Sequence, residues 1–458
     1  MRGQGEVLVV SCYELGRQPV AAAGALAALE ENGFHPAVLD VAVESLEEDA
    51  VKRARLVAIS VPMHTALRLG VRVAARVRTL NPAAHVAFFG LYAGLNKTHL
   101  LDARHCDTVI EGEVFAPLVA LARSLGSTAS GSPTSLAIGA AGGSATTAAA
   151  PTLEKRGTVP SRAALPVLSK YARLEGHGPP RLVASVEASH GCLHLCRHCP
   201  IVPVYRGRFV AVPREAVLAD LEQQLAQGAS HVTFGDPDFF NGPTHALRLA
   251  RELHARWPHL TFDATIKIEH LLRHRALLPE LAASGCLFIT TAVESLSERV
   301  LHELRKGHTA AEVPLALQAV RAAGIDLRPT LLPYTPWTAL GDLPALFDFA
   351  EEHDLVDQID PVQFTLRLLL PPGSALLADP AELRPWLGEL RPEMFSWSWT
   401  HADPRVDELQ RASAAIAEHA TFAELRALAE SAAGHAPRAS RPVRARREVP
   451  RLTEPWFC

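Results

Sequence analysis

Lysine, long hydrophobic runs and an excess of positive charge are rare or missing in this chain of 458 residues. No uninterrupted apolar stretch reaches the ~18–20 residues that a membrane span needs, so we expect no transmembrane helix. The formal net charge of −4 gives no support for a nucleic-acid partner. Polar residues run straight into the strand-like segment 7–10, so we expect no secretory leader and a cytoplasmic protein. Only 6 of the 45 basic residues are lysines, a bias that we attribute to genome composition.

Cysteine is also sparse, and the odd total of seven does not indicate a disulfide framework. Three of the seven crowd one segment, where Cys192, Cys196 and Cys199 form a C-x3-C-x2-C triplet. Clustered thiols of this kind favour metal binding in a reducing compartment. Three thiolates hold three irons of a cubane cluster, which usually has four protein ligands. One iron would then stay open for a substrate or cofactor, as in a catalytic metal site.

A structural zinc site is the alternative interpretation of the triplet. Zinc usually takes four ligands, and His190, His194 or His198 would supply the fourth here. An iron–sulfur electron carrier is a second alternative outside the enzymes. A simple carrier would not need a large barrel with polar residues at several strand ends, and the rest of the sequence predicts such a barrel.

Alternating strand-like and helical segments predict an α/β protein with two main domains. Residues 5–123 carry five short apolar runs between helical segments, which predicts a doubly wound, Rossmann-like parallel sheet. Residues 124–158 are rich in Ser, Thr, Ala, Gly and Pro and predict a flexible linker. Residues 159–380 contain six strand–helix units, which predicts a partial (β/α)6 barrel of the TIM type. Residues 381–458 predict a mostly helical extension with a poorly ordered tail segment at 437–451.

The cysteine triplet follows the first predicted strand of this barrel. Functional residues of such barrels lie at the carboxyl ends of the strands, so the triplet is at the expected edge. The six predicted barrel strands are 182–187, 231–234, 261–266, 287–292, 326–332 and 361–366.

This spacing, at this place in a barrel, resembles the signature of the radical S-adenosylmethionine (radical SAM) superfamily. The resemblance implies a 4Fe–4S cluster on Cys192, Cys196 and Cys199, whose open iron chelates the amino and carboxylate groups of S-adenosylmethionine. It also implies reductive cleavage of a carbon–sulfur bond, with chemistry that the cofactor carries and the barrel shields. His198 stands where an aromatic residue often precedes the third cysteine, and its ring is expected to stack on adenine. A reductant such as flavodoxin or ferredoxin is the implied protein partner.

Cofactor contacts are expected at three further strand ends, two of them from the same resemblance. Gly235 and Asp236 take the place of a Gly-Gly-Glu-like motif that holds the amino group of the cofactor, with an Asp-Pro turn as the alternative. Lys267 and Glu269 follow the carboxyl end of the third predicted strand, and from this position they are expected to reach the cofactor carboxylate or ribose, with a surface salt bridge as the alternative. Glu294 and Ser295 resemble a Gly-x-Glu-Ser turn that touches polar groups of the cofactor, and they would also serve as a helix N-cap.

The amino-terminal domain resembles the cobalamin-binding domain that precedes many such barrels. The residues that carry this likeness are 90–94 after the fourth strand and 111–113 after the fifth. The Asp-x-His-x-x-Gly motif that supplies an axial histidine is absent, and His64 is either a ligand-facing residue or an ordinary polar contact. Cobalamin is therefore a further expected cofactor, with a substrate-binding or purely structural domain as the alternatives.

Nearly the whole chain apart from the linker resembles the radical SAM proteins named for a Cys-Sec-Ala-Glu-Pro or Cys-Cys-Ala-Glu-Pro tail. The likeness rests on residues 13–19, 191–200 and 452–458. The sequence stops at Cys458, where selenocysteine would follow in that family, so we hypothesise that the gene continues through an in-frame UGA codon. A tail of this kind suits capture of a soft element such as arsenic or selenium, or redox work. Cys458 is therefore the candidate catalytic residue.

The sequence thus predicts a radical SAM enzyme that modifies an unidentified small molecule. Cobalamin-dependent methyl transfer is the alternative within the superfamily, and an iron–sulfur carrier or zinc-stabilised binding protein is the alternative of another class. The expected partners are the substrate and a reductant, with no nucleic acid and no membrane.

Overall fold

The computed structural model describes residues 1–112, 115–127, 157–176, 178–379, 381–436 and 449–454. Most of the expected linker and the tail residue Cys458 lie outside these ranges. Among the described helices, none combines the length and the apolar character that crossing a membrane requires.

Five parallel strands near the amino terminus form one sheet. In chain order they are β1 (Val7–Ser11), β2 (Ala37–Asp40), β3 (Leu56–Ser60), β4 (His85–Phe89) and β5 (Thr108–Ile110). The helices of this region are α1 (Val20–Glu31), α2 (Glu48–Arg53), α3 (His64–Leu80), α4 (Leu91–Leu95), α5 (Lys97–Asp102) and α6 (Ala116–Ser127). The strand order is β2-β1-β3-β4-β5, which is a known order of doubly wound sheets. All five predicted strands are present, and α6 continues four residues into the segment that the composition assigned to the linker.

Both faces of this sheet are covered, because alternate strand residues point to opposite sides. Val7 and Val9 belong to one buried cluster with α1 and α6. Leu8 and Val10 belong to a second buried cluster with α2 and α3. Helices on both faces are what a parallel sheet with continuous apolar strands requires.

A second sheet follows and curls into a half barrel. The strands of this region are β6 (Arg173–Glu175), β7 (Arg181–Val186), β8 (Ser189–Gly191), β9 (Phe209–Ala211), β10 (His231–Phe234), β11 (Thr261–Thr265), β12 (Cys286–Glu294) and β13 (Asp326–Leu331). The helices are α7 (Ile201–Tyr205), α8 (Arg214–Leu225), α9 (Pro243–Arg256), α10 (Ile268–Arg273), α11 (Leu278–Ala283), α12 (Glu298–Leu304), α13 (Glu312–Ala322) and α14 (Asp342–Glu352). Five strands run parallel in the order β7-β10-β11-β12-β13. The five predicted strands of this series are present to within one or two residues at each end.

The prediction of a sixth barrel strand at residues 361–366 is wrong. A 3-10 turn occupies Pro361–Thr365 instead. Proline has no backbone N–H for a strand ladder, and the Gln363 side chain accepts the Leu331 backbone N–H at 3.0 Å. A side chain therefore takes the place of a strand partner beside β13. Parallel pairing continues only as an isolated bridge between Tyr334 and Arg367, so the described barrel has five parallel strands rather than six.

The carboxyl-terminal region adds a hairpin, two helices and an edge strand. These elements are β14 (Leu387–Arg391), β15 (Ser396–Trp399), α15 (Pro404–Ile416), α16 (Phe422–Ala432) and β16 (Arg451–Leu452). The two helices were predicted, whereas the antiparallel β14–β15 hairpin was not. β16 pairs with β6, and β6 pairs with β7, so the tail closes one edge of the half barrel. Arg451 thus lies in a strand rather than in the poorly ordered segment expected there, while residues 437–448 lie outside the described residues.

A buried arginine connects the two sheets. Arg162 is 1% exposed, and its guanidinium donates to both carboxylate oxygens of Asp220 at 2.7 and 2.8 Å. It also donates to the backbone carbonyls of Gln18 at 3.2 Å and Ser185 at 2.8 Å. Gln18 follows β1 and Ser185 lies in β7, so one side chain fixes the amino-terminal domain to the first barrel strand.

Candidate functional site

The cysteine triplet lies in the loop between β8 and β9, directly after the first parallel barrel strand. These two short strands pair antiparallel, with His190 opposite Val210, and hold both ends of the loop. Gly191 immediately precedes Cys192 and has φ +78°. A Cβ at this position would come within 2.4 Å of the Arg208 carbonyl oxygen. Both the dihedral angle and the close approach require glycine, so this residue fixes how the loop begins.

All three cysteines of the loop are free thiols. Cys192 and Cys196 are 9% and 6% exposed, and Cys199 is half-buried. Burial raises the pKa of Cys192, and it raises the pKa of Cys199 to about 12, so a thiolate at either position needs a cation beside it. Within the described residues, the three sulfurs are not all within 4.8 Å of one another. Thiolates on one tetrahedral zinc stand about 3.8 Å apart, so the three thiols as placed do not form a zinc site.

Two buried ammonium groups flank the thiols. Lys267 is 7% exposed, and its Nζ lies 3.6 Å from the Sγ of Cys196. Burial lowers the pKa of Lys306, but the Glu294 carboxylate and the thiols of Cys196 and Cys199 outweigh it and raise the pKa overall. Both ammonium groups would therefore offset the negative charge of thiolates at these positions. The alternative interpretation of Lys267 as a surface salt bridge is wrong, because the side chain is buried.

Glu294 ends β12 in a left-handed conformation, with φ +65°. Such backbone is uncommon for residues other than glycine and clusters at functional sites. Its Oε1 accepts a hydrogen bond from Lys306 Nζ and contacts His198 Nε2, each at 3.1 Å. Burial alone raises the pKa of Glu294, but Lys306 and His198 outweigh it and hold the pKa well below its ordinary value. The neighbouring Ser295 accepts the Ser297 backbone N–H at 3.1 Å, so its hydroxyl supports the turn into α12.

Asp236 faces the start of the cysteine loop. Its carboxylate accepts hydrogen bonds from the Ala188 backbone N–H at 2.9 Å and the Ser189 hydroxyl at 2.6 Å. Burial raises the pKa of Asp236 to about 6 in spite of these bonds. A Cβ on the adjacent Gly235 would lie 3.4 Å from the Glu187 side chain. The carboxylate is thus engaged within the protein, where it holds the turn after β10 against the first strand of the hairpin.

The histidines of the loop contact carboxylates rather than thiols. His190 Nδ1 lies 3.1 Å from a Glu187 oxygen. His194 lies 3.4 Å from Asp238 on one side of its ring and 3.5 Å from Glu269 on the other. His198, next to Cys199, contacts Glu294 through Nε2. Among the described residues, no histidine joins these cysteines in a group of three potential metal ligands.

His308 lies close to this site, although the sequence did not single it out. It is 6% exposed, and neither ring nitrogen makes an aligned hydrogen bond among the described residues. Burial, together with Lys306 and Lys267, lowers the pKa of His308 to about 4, so the ring is neutral near pH 7. Its segment between α12 and α13 has no periodicity, and the preceding Lys-Gly pair is the only local signal that could have marked it.

A small polar cavity lies inside the half barrel. Thr265 of β11, Thr290 of β12 and Arg328 of β13 line it. Arg17, from the loop after β1, and Glu454, from the tail, complete its wall. The amino-terminal domain and the tail therefore both contribute side chains to the barrel interior.

Glu454 anchors the end of the described tail. Its Oε1 accepts a hydrogen bond from the Tyr13 hydroxyl at 2.7 Å. It also packs on Gly16, where φ is +65° and an added Cβ would lie 2.6 Å from the Glu454 side chain. The Thr453 backbone N–H donates to the Arg173 carbonyl at 2.8 Å. Two of the three segments that carry the family likeness, 13–19 and 452–454, are thus in direct contact.

The carboxyl edge of the amino-terminal sheet is covered by the chain itself. His64 Nε2 lies 2.6 Å from the Met394 carbonyl oxygen, and its ring packs edge-on against Tyr92 at 6.0 Å. Tyr205 of α7 and Phe395 are 3% and 4% exposed in the same apolar cluster as the sheet. His64 therefore makes an ordinary polar contact, which was the second of its two expected roles.

A family comparison covers the part of the chain that carries the cysteine loop. Residues 186–343 match the family model described as the radical SAM superfamily. Curated relatives include the tRNA-2-methylthio-N(6)-dimethylallyladenosine synthase of Fusobacterium nucleatum subsp. nucleatum, 29% identical over 217 residues, with 42% of this chain and 45% of that protein covered. The Haemophilus influenzae enzyme of the same name is 29% identical over 180 residues, with 36% of each chain covered. The chain thus spans less than half the length of these relatives.

Solved structures are similar over more of the chain. The radical S-adenosylmethionine methyltransferase TsrM from Kitasatospora setae, with cobalamin and a [4Fe-4S] cluster bound, has a TM-score of 0.62 at 17% identity, with 85% of this chain and 81% of that chain covered. The cobalamin-dependent S-adenosylmethionine radical enzyme OxsB, with aqua-cobalamin bound, has a TM-score of 0.63 at 14% identity, with 89% and 66% covered. At such identities the likeness shows a shared fold.

Proposed function

We propose that this chain is an enzyme of the radical SAM superfamily, whose model residues 186–343 match, and that Cys192, Cys196 and Cys199 ligate its 4Fe–4S cluster next to S-adenosylmethionine. Held by these three cysteines with one iron left open, such a cluster would supply the electron for reductive cleavage of a carbon–sulfur bond of S-adenosylmethionine. Three free thiols beside two buried ammonium groups are the observation that carries this proposal. The electron comes from a protein reductant of the flavodoxin or ferredoxin type.

Residues around the thiols receive the cofactor. Lys267 is assigned to the cofactor carboxylate, because it is a buried cation beside a proposed cluster ligand. The main chain at Gly235 is assigned to the amino group, and the ring of His198 to adenine. Asp236 and Ser295 act through their neighbours, since the first holds the hairpin and the second the turn into α12.

We assign Cys458 to a substrate that contains a soft element of the arsenic or selenium class. Cys458 lies outside the described residues, but Glu454 lines the barrel cavity and is held by Tyr13. The four residues that follow Glu454 span at most about 14 Å when extended. A tail of this length would let the thiol reach the barrel interior, and thiolates prefer soft partners.

A small molecule is favoured over tRNA, although the curated relatives are named for a modified tRNA base. The net charge of −4 provides no electrostatic footprint for RNA. Filter binding with unfractionated tRNA at low salt is expected to show no saturable binding. Saturable binding that weakens with added salt would contradict this choice of substrate class.

The cofactor assignment is tested on anaerobically reconstituted protein supplied with S-adenosylmethionine and dithionite. We expect about four irons per chain, and either 5′-deoxyadenosine or methylthioadenosine as the cleavage product. Cys192→Ala should lose both the iron and the product. Cys286→Ala is the matched control, because Cys286 is buried at the start of β12, away from the loop, and should retain both. Fully loaded protein that yields neither nucleoside would refute the proposal.

The role of the tail cysteine is tested separately with arsenite as the probe. Cys458→Ser is expected to bind arsenite at least tenfold more weakly than the parent chain and still to cleave S-adenosylmethionine. Equal arsenite affinity in the two proteins would reject the soft-element substrate. It would leave the cluster assignment untouched, because the two readouts are independent.

Cobalamin-dependent methyl transfer is the second candidate, favoured by the fold shared with TsrM and OxsB. In the described residues, however, His64 is engaged by the Met394 carbonyl, and Tyr205 and Phe395 cover the sheet edge where a ligand would lie. An absorption spectrum after incubation with hydroxocobalamin and gel filtration decides the point, because retention of one corrinoid per chain would favour this candidate over a structural amino-terminal domain.

A further inference from the structure

Beside the cysteine loop, three side chains from three different elements converge. His194 lies within the loop, Asp238 follows β10, and His270 lies in α10. Asp238 is fully buried, His270 is 4% exposed, and the His194 side chain is 14% exposed. One potential ligand atom from each of the three residues lies within 4.8 Å of the other two.

One carboxylate oxygen of Asp238 makes a short contact with a ring nitrogen of each histidine. Asp238 Oδ2 is 2.7 Å from His270 Nδ1 and 3.4 Å from His194 Nε2. Even so, none of the three has a hydrogen-bond partner of acceptable geometry among the described residues. The other carboxylate oxygen accepts the Phe240 backbone N–H at 3.0 Å, which fixes Oδ2 toward the two rings. Buried polar atoms normally have a hydrogen-bond partner. Short contacts without hydrogen-bond alignment arise when the atoms point toward a common centre rather than toward one another.

The outer contacts of His194 are those of a metal-bound imidazole. Its second ring nitrogen, Nδ1, lies 3.5 Å from Glu269 Oε2. Glu269 is in turn held by Arg273 at 2.7 Å. A carboxylate on the far nitrogen of a ligating histidine fixes its tautomer and ring orientation. The arrangement therefore has an outer layer as well as three inner donors.

We propose that His194, Asp238 and His270 bind one divalent first-row transition-metal ion, separate from the iron–sulfur cluster. Two imidazole nitrogens and one carboxylate oxygen are donors that Zn²⁺ and Fe²⁺ take in proteins, at about 2.0–2.2 Å. Ligands of a tetrahedral ion at this distance stand about 3.3 Å apart, so small rotations of the rings close the site. One position stays open for water or another small ligand.

The ion would tie the cysteine loop to the barrel. His194 is two residues from Cys192 and two from Cys196, whereas Asp238 and His270 belong to the second and third strand–helix units. A single ion thus fixes the middle of the loop to two barrel elements. This inference goes beyond the proposed function, which needs only the three thiols.

The experiment counts metals in the full-length, cluster-reconstituted protein after addition of Zn²⁺ and gel filtration. We expect one zinc per chain, or one iron beyond the cluster complement, measured by inductively coupled plasma mass spectrometry. Asp238→Asn and His270→Gln should each reduce this extra metal at least fivefold. His274→Gln is the matched control, because the His274 ring lies 5.7 Å from the His270 ring but His274 is not one of the three donors. This variant should keep the metal.

Zinc that occupies empty cysteine sites is distinguished by X-ray absorption at the zinc edge. Nitrogen and oxygen neighbours at about 2.0–2.1 Å, without sulfur near 2.3 Å, support the site. Sulfur neighbours, or no extra metal in the parent protein, overturn it. Cys192→Ala, which fails to build the cluster, should still bind zinc through nitrogen and oxygen. This variant separates failure of the metal site from failure of the cluster assignment. Far-ultraviolet circular dichroism confirms that each variant compared is folded, and unchanged metal content in both folded variants of the donors would also overturn the proposal.

Discussion

Replacement of Lys306 by methionine removes the positive end of a buried ion pair and should strongly destabilise the fold. Lys306 is 3% exposed and the Glu294 side chain 11%, with 3.1 Å between Nζ and Oε1. Removing one partner of a buried pair typically costs about 3–5 kcal/mol, because the other charge is left uncompensated. His198 contacts the same oxygen at 3.1 Å and keeps part of the compensation. We therefore expect the low end of that range, about 3 kcal/mol.

A double variant separates the ion pair from simple loss of packing. The double variant Glu294→Gln, Lys306→Met leaves no unpaired buried charge. Its free energy of unfolding should therefore lie within about 1 kcal/mol of that of the parent protein. Lys306→Arg is the control that keeps the charge. Urea denaturation of cluster-free protein, followed by circular dichroism, gives the free energies. Lys306→Met should also bind less iron, because the charge of Lys306, which this variant lacks, interacts with the thiols of Cys196 and Cys199.

Two results would refute this reasoning. One is a free energy of unfolding for Lys306→Met within about 0.5 kcal/mol of the parent value, since an unpaired buried carboxylate should lower it by much more. The other is a double variant as unstable as the sum of the two single variants, which would show that the two side chains do not interact.

Three further predictions concern the loop, the domain contact and the pH profile. Gly191→Ala should bind little iron, because its Cβ would lie 2.4 Å from a carbonyl oxygen, and full iron content would contradict the steric argument. Arg162→Met should lose about 3–5 kcal/mol of stability by stranding Asp220, as read from urea midpoints, and Arg162→Met with Asp220→Asn should recover most of it. Burial and Asp40 raise the pKa of Glu14 in the folded protein to about 8. The stability contributed by the protonated carboxyl is therefore complete below the pKa of Glu14 in the unfolded chain, and it is lost as the pH rises through 8. Between pH 6 and 8 we expect the parent to lose on the order of 2 kcal/mol relative to Glu14→Gln, and parallel profiles of the two proteins would count against it.

The strands of both sheets were largely predictable, because buried parallel strands are short continuous apolar runs between helical segments. The exception at residues 361–366 has the same local pattern. Whether this segment forms a strand depends on Gln363, whose side chain accepts a hydrogen bond from the Leu331 backbone N–H, 32 residues earlier in the chain. The β14–β15 hairpin was missed for a related reason, since its exposed first strand has no buried face to give alternation.

The site divides in the same way. Cys192, Cys196 and Cys199 could be identified because their relation is one of sequence spacing. Asp236 was correctly expected at a strand end, but the sequence does not encode the direction of its carboxylate, which turns to the hairpin. Residues such as His308 come from irregular segments, and only the folded barrel brings them to the cysteines. The assignments of individual cofactor contacts and of the tail cysteine stay predictions.

The pairing of β16 with β6 has a consequence for how the protein is made. Arg451 pairs with Glu175, so a ribosome releases one strand 276 residues before its partner. During that interval β6 presents an open edge, and open edges pair with other chains. Closing so long a loop is also slow compared with forming local contacts. A product interrupted shortly before residue 451 would hold every parallel strand and all three loop cysteines, yet we expect it to aggregate rather than to act as a shortened enzyme.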